Sequence, residues 1–350
     1  MAQCPMEQGQ RIEIVEPLRG LAAFAVMWFH FVYVSQLFAG GGGVAAWIRG
    51  SGQYGGLGVE VFFVISGFIL PYSMYRNSYR MRDFGTFVAK RVIRLDPPYL
   101  VNILLALGLW ALVSLSPSFL GEPFRFEPAR FFCHFGYLNS IAGYGWYNPV
   151  YWTLAIEFQY YLLLALTFPL LVHKRSAMRN AFPLVLALCA YPLPQDNLVF
   201  FWLGLFAMGM VTFQTYCQLT AYRLYVVQAS LITAVNMATL GWLISVLALT
   251  VSLVIVFVRI PRIAPLAFLG SISYSLYLVH IPIGSRFINL GTRFADTLPE
   301  RLVILGSSTV ITIWTSYLCY RWIERPAQRW SSAIRYRHAA RQDRDAKSAT

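Results

Sequence analysis

The chain has 350 residues, of which 57% are hydrophobic, 16% aromatic and only 12% charged, about half the charged share of an ordinary soluble domain. That composition excludes a soluble globular enzyme and points to an all-α, polytopic transmembrane helical bundle. The net charge of +13 would suggest nucleic acid in a soluble protein, but here the basic residues cluster between apolar runs, where orientation signals belong, so no nucleic-acid partner is implied.

Apolar runs of roughly 17 to 22 residues suit a hydrocarbon core of about 30 Å. They fall at 17–38, 57–75, 97–116, 150–172, 197–215, 224–240, 241–258, 264–284 and 301–322. A shorter run at 181–194 ends in Tyr-Pro-Leu-Pro and reads as a short, tilted or re-entrant pass. Counting it gives about ten spans with both termini cytoplasmic. The positive-inside rule agrees, because that arrangement puts 22 Lys/Arg in inner segments and 6 in outer ones. The first run is too long for a signal-peptide core and lacks a small-residue cleavage site, so it is read as retained. Only Asn236 and Gly241 punctuate the boundary between 224–240 and 241–258.

A glycine-rich loop at 40–56, an aromatic loop at 119–149 and a loop at 284–300 are expected outside the membrane. A basic loop at 76–94 and the tail after Arg325 are expected inside. There is no internal repeat and no second soluble domain. The organisation is therefore one membrane-embedded domain at 1–330 and a basic, disordered cytoplasmic tail at 331–350, whose Arg335, Arg337, Arg341, Arg344 and Lys347 suit anionic lipid. Cys4, Cys133, Cys189, Cys217 and Cys319 form no CxxC pair, so neither a disulfide framework nor a metal site is expected.

Ionisable residues inside the apolar runs need an explanation, since each costs a few kcal/mol at that depth unless it faces a partner or a polar cavity. Arg19 and His30 are eleven residues apart, three helical turns plus 20°, so they share a face about 16 Å apart along the axis. Counted in from the span ends, His30, Glu60, Glu157 and His280 fall at one depth in the outer half. That places a polar chamber in the outer leaflet, with Thr153 a turn above Glu157, and with Ser273 and Tyr277 on the stripe of His280. A histidine with a carboxylate nearby can take a proton from a hydroxyl, so Glu60 is expected to orient His30. For Glu157 and His280 a helix–helix hydrogen bond is as good an account as a chemical role.

No Gly-x-Ser-x-Gly elbow occurs and no cysteine sits in that layer, which argues against a serine or cysteine acyl-enzyme. On the cytoplasmic side, Lys90, Arg91 and Arg94 precede the third span, Lys90 and Arg94 on one face. Basic residues beside a span are commonly topology anchors, but with Arg19 they also offer phosphate-binding charge to a cytosolic ligand, without a glycine-rich cradle. A proton-coupled transporter would use ten spans and a His/Glu layer too. The two halves of this chain lack the matching broken helices many transporters carry.

The motifs Leu18-Arg-Gly-Leu-Ala-Ala with His30, Gly58-Val-Glu-Val-Phe-Phe-Val-Ile-Ser-Gly-Phe68, Lys90-Arg-x-x-Arg94 before Pro97-Pro-Tyr99, Trp152-Thr-Leu-x-x-Glu157-x-x-Tyr-Tyr161, Ser273-Tyr-x-Leu-Tyr-Leu-Val-His280 and Glu324-Arg-Pro326 resemble, in order and spacing, those of the acyltransferase-3 family. The resemblance covers Glu16 to Pro326. It implies a membrane O-acyltransferase of a bacterial cytoplasmic (inner) membrane, moving an acyl group, usually acetyl, from acetyl-CoA or another acyl-CoA in the cytosol. The implied acceptor is a hydroxyl of an outer-face glycan or glycolipid; some members acylate small molecules instead. No permanently bound cofactor is implied. Under the resemblance His30 is the essential histidine, with Glu60 standing where an acidic residue, often aspartate, is usual. Arg19, Lys90, Arg91 and Arg94 lie on the donor side, and Trp152, Glu157, Ser273, Tyr277 and His280 fall in motifs counted with substrate binding.

Overall fold

The computed structural model describes residues 13–336, apart from 117–120, 191–194, 260 and 262. Arg11, the end of the 181–194 run, Arg262, and the tail residues Arg337, Arg341, Arg344 and Lys347 lie outside the described residues. Within the described residues the chain is helical and contains no strand. The helices are α1 (Val15–Trp28), α2 (Val44–Ser51), α3 (Gly58–Arg76), α4 (Phe84–Ser114), α5 (Pro128–His134), α6 (Tyr151–Leu171), α7 (Ser176–Leu188), α8 (Val199–Tyr216), α9 (Tyr222–Leu240), α10 (Trp242–Phe257), α11 (Ala264–Val279), α12 (Arg286–Gly291), α13 (Leu298–Cys319) and α14 (Arg325–Ala333). Three helices end in a widened π turn: Phe29–Val34 after α1, His280–Ser285 after α11 and Tyr320–Glu324 after α13.

Helix directions follow from which residues meet. Gly20 packs on Gly270 and His30 meets His280, so α1 and α11 run parallel at a constant offset of 250 residues. Ser66 meets Glu157 and Phe63 meets Trp152 and Phe206, which makes α6 and α8 both parallel to α3. Asn102 with Tyr151, and Arg91 with Tyr161, set α4 against α6; Gly284 with Ser308, and Phe268 with Tyr317, set α13 against α11. Since α6 and α8 point the same way, α7 must carry the chain back between them. Thus α3, α6 and α8 share one direction, α4 and α7 take the other, and α13 opposes α11. Among the described residues seven helical segments are long and apolar enough to cross a membrane, and Trp242–Phe257 is apolar but shorter, at 16 residues. Gly241, with φ of +86°, breaks α9 from α10 in a conformation that favours glycine.

Two expectations about loops are corrected. The basic stretch 76–94 is not all loop, because α4 begins at Phe84 and carries Lys90, Arg91 and Arg94 in its first turns. Charged residues are good helix formers, and hydropathy detects only the apolar continuation. The aromatic loop 119–149 is not confined to the outside either. It folds into the bundle, where Tyr137, 5% exposed, donates a 2.8 Å hydrogen bond to Asp96 on α4 and stacks on Tyr99.

A tight joint in the bundle is between α1 and α11. A Cβ on Gly20 would lie 2.7 Å from the Gly270 nitrogen, and one on Gly270 would strike the Glu16 carbonyl. A parallel joint forms at Gly67 and Gly209, between α3 and α8. Close backbone approach at small residues is how helices pack where lipid provides no hydrophobic drive. Gly270→Leu is expected to destabilise the protein by about 1–3 kcal/mol or more, read as a fall in Tm in detergent. Gly108→Leu, where an added Cβ meets nothing within 4 Å, is the neutral comparison; equal Tm for both variants would contradict the joint.

The inserted loop has its own core. His134, at the end of α5, stacks on Tyr147 at 4.7 Å and meets Trp146 edge-on at 5.3 Å. Its Nδ1–H donates to the Arg130 carbonyl at 2.8 Å and the Tyr147 amide donates to Nε2 at 3.4 Å, so both nitrogens are used by the neutral ring. Burial, with the Arg130 charge adding to it, pushes the imidazole down to about 4. The unfolded loop takes up its proton near 6.5, so the stability given by the neutral ring is full above that value and is lost as the pH falls from about 6.5 to about 4. Trp146 emission, taken as the difference between the protein and Trp146→Phe, should change across that window and lose its pH dependence in His134→Gln. A flat difference would contradict this.

Candidate active site

The first polar centre lies where α1 and α11 end in their π turns, which re-aim side chains by adding a residue to the turn. The imidazoles of His30 and His280 stand 5.0 Å apart, with His280 Nε2 3.3 Å from His30 Nδ1. His30 Nδ1 is also 2.8 Å from the Val26 carbonyl, and His280 Nδ1 is 3.2 Å from the Leu276 carbonyl. A carbonyl can only accept, so each Nδ1 carries its proton. His280 Nε2 is then a lone pair that accepts from His30 Nδ1–H. The remaining nitrogen, His30 Nε2, is left unprotonated. His280 is fully buried while His30 is partly exposed.

Glu60 is not the hydrogen-bond partner of His30. Gly58, two residues earlier, backs onto the Ala22 carbonyl of α1; two residues are about 200° of helix, which turns Glu60 away from α1. Its Oε2 is buried without a hydrogen-bond partner. Tyr277 bonds Thr153 at 2.8 Å and its ring is 5.8 Å from that of His280.

The second polar centre lies deeper, toward the starts of α1 and α4. Arg19 lies within electrostatic range of Arg94, Glu324, Glu157 and Tyr161, and Arg91 within range of Tyr161, Arg94 and Glu157. The carboxylates are held by other groups. Glu157 accepts from Ser66 at 2.6 Å, and Glu324 from the Ser275 hydroxyl at 2.6 Å, the Ser275 amide at 3.2 Å and Gln328 at 2.9 Å. Arg91 lies 5.1 Å over Phe87 and 5.7 Å over Tyr161, with its Nε buried and unbonded. Among the described residues neither Arg19 nor Arg94 has a hydrogen-bond or ion-pair partner. Three guanidiniums therefore face two carboxylates, in a site with unused donors.

The common depth expected for His30, Glu60, Glu157 and His280 is corrected accordingly. Only the two histidines meet. Ser66, which holds Glu157, follows Glu60 by six residues, so Glu157 sits about 9 Å deeper and belongs with the arginines. Lys90 also differs from Arg91 and Arg94: its ammonium donates to the Ser331 carbonyl at 2.9 Å and to the Ile334 carbonyl, closing the end of α14. Ser331 returns a bond to the Lys90 carbonyl at 2.7 Å, so residues 331–336 that the sequence places in a tail begin as part of the bundle. Trp152 packs between Phe63 and Trp202, and Ser273, buried with its hydroxyl unbonded, is on the α11 stripe that bears Gly270 and His280.

Some participants were missed from the sequence. Glu324 stood in a recognised motif without an assigned role. Asp96 beside Pro97-Pro98 and Asn102 within the third span were visible polar residues in an apolar run. Asn102 accepts from Tyr151 at 2.6 Å and Asn148 at 3.2 Å, while Asn148 donates to the Leu278 carbonyl at 3.0 Å, two residues before His280. The end of the inserted loop is thereby fastened to the helix that carries His280. Among the described residues no group of three or more His, Cys, Asp or Glu could hold a metal ion.

Comparison with known proteins gives this geometry its family. No solved structure matches the chain. One relative, "Putative membrane-bound transacylase BcsY" of Komagataeibacter xylinus, is 28% identical over 311 residues, 77% of this chain and 72% of that one. The O-acetyltransferase OatA of Staphylococcus aureus is 30% identical over 168 residues, 45% of this chain, and the match spans 25% of the relative's length. The family model described as an acyltransferase domain, Acyl_transf_3, matches residues 13–321, which sets the transporter reading aside: the chain belongs to the acyltransferase-3 family and is a multi-pass membrane O-acyltransferase.

Proposed function

We propose that the protein moves an acyl group, in the first instance acetyl, from cytosolic acyl-CoA to a hydroxyl of a glycan or glycolipid at the outer face of the bacterial inner membrane, both its termini being cytoplasmic. The observation that carries this reading is the pairing of unbonded guanidiniums at one depth with an unprotonated imidazole nitrogen at another. Arg19 and Arg94 suit the phosphates of CoA, with Arg91 beside them. His30 lies about 16 Å further along α1, within reach of an extended pantetheine arm. OatA, an O-acetyltransferase by name, supports acetyl as the group moved.

In the reaction, the acceptor oxygen attacks the thioester carbonyl as His30 Nε2 takes the hydroxyl proton. The tetrahedral intermediate collapses, the carbon–sulfur bond breaks, and the thiolate recovers the proton from the imidazolium. Ester and free CoA result, with no acyl-enzyme. Glu157 and Glu324 hold their positions against serine donors, and their charges offset the repulsion between Arg19 and Arg94.

Charge-assisted hydrogen bonds are worth about 1.5–3 kcal/mol each, so Arg19→Ala and Arg94→Ala should each raise the KM for acetyl-CoA by roughly 10- to 100-fold. Lys90→Met should leave that KM within about twofold while lowering Tm, because Lys90 holds α14. Steady-state release of CoA thiol by purified protein in proteoliposomes reads all three. Unchanged KM in both arginine variants would overturn the donor site.

A further inference from the structure

The family chemistry needs a base, but it does not say what holds the base in its working form. In this protein the usual carboxylate is missing from that position. Glu60 is turned away, and Glu157 and Glu324 are fastened to serines in the deeper centre. The ring atom that faces His30 Nδ1 is Nε2 of His280.

We propose that His280 is the positioning residue for His30, a neutral imidazole doing the work that a carboxylate does elsewhere. This rests on the reading of His30 as the base. The chain of donors runs one way: His280 Nδ1–H to the Leu276 carbonyl, and His30 Nδ1–H shared between the Val26 carbonyl and His280 Nε2. Each bond fixes the next tautomer, and the last lone pair in the chain is His30 Nε2. When His30 Nε2 gains the acceptor proton, the charge is delocalised over a ring whose other N–H already points at a carbonyl oxygen and an imidazole lone pair. No proton need leave Nδ1, and none does; the proton gained at Nε2 goes on to the thiolate.

The arrangement depends on the helices. His280 is fully buried and cannot swing into solvent. The Gly20–Gly270 joint, ten residues below on both helices, sets the two rings opposite each other, and Asn148 pins the Leu278 carbonyl two residues before His280. A carboxylate would lose far more hydration free energy on entering the same place than a neutral ring whose nitrogens are both hydrogen-bonded.

The test compares His280→Leu, which cannot accept a hydrogen bond, with His280→Gln, whose side-chain oxygen can, alongside His30→Ala and the double variant His30→Ala/His280→Leu. Full-length protein in proteoliposomes is given acetyl-CoA with water or methyl glucoside as acceptor, and CoA thiol release is followed. His280→Leu should lower kcat by roughly 100-fold, within the usual range for general acid–base catalysis, with the KM for acetyl-CoA within about twofold. His280→Gln should recover to within about tenfold of the unaltered protein, and the double variant should be no slower than His30→Ala. A His280→Gln protein as slow as His280→Leu, or additive losses in the double variant, would overturn the positioning role while leaving His30 as base. Full activity in His30→Ala would instead remove the base itself, and the positioning role with it.

Discussion

The close approach of α1 to α11 at Gly20 and Gly270 is the constraint from which the site follows. With no side chain between the backbones, the two helices lie parallel and cannot slide, because Gly270 rests against the Glu16 carbonyl and Gly20 against Leu269 and Gly270. Ten residues further along both helices, this register delivers His30 to His280. In hydrocarbon every backbone group must be satisfied within the protein, and here the Val26 and Leu276 carbonyls in the last turns of α1 and α11 serve imidazoles instead of water. A register shift of one residue would rotate each histidine by about 100° and separate the rings.

Burial also explains why the two polar centres look so different. In the histidine pair every ring nitrogen but one has a hydrogen-bond partner, and the one left is His30 Nε2. The deeper centre keeps its carboxylates bonded and its arginines free, although leaving a buried donor unbonded costs about 1–3 kcal/mol. Such a cost persists where a ligand meets it, as the polyanionic donor of the proposed function would. Lys90 lacks that freedom. Its ammonium donates to the carbonyls that end α14, which separates it from its neighbours Arg91 and Arg94 in the basic cluster.

Much of this was legible in the sequence, for reasons particular residues make plain. Apolar length located helices, and the boundary between α9 and α10, marked in the sequence only by Asn236 and Gly241, falls at Gly241, whose φ of +86° other residues avoid. The parallel spacing of Arg19 and His30 was legible because one helix carries both. Relations between helices were not. Counting depth from span ends assumes that all spans begin at one height, but α6 begins beneath the inserted loop, whose Tyr137 and Asn148 are buried, so Glu157 lies lower than the count gave. The partner of His30 was hidden for a related reason: Glu60 has the right chemistry and His280 the right register, and only packing distinguishes them. Lys90 and Arg94, on one face by their spacing, were separated by α14, which no local pattern announces.

The account holds that the donor is bound at the end of the bundle where α1 starts and that the acceptor is acylated from the other end. Sealed proteoliposomes test this most directly. Orientation is first established by protease access to an N-terminal tag; labelled acetyl-CoA and a membrane-impermeant polysaccharide are then supplied in all four combinations of sides. Labelled ester should form only with acetyl-CoA on the side of the N-terminus and polysaccharide on the opposite side. Ester formed only when donor and acceptor share one side would contradict the account.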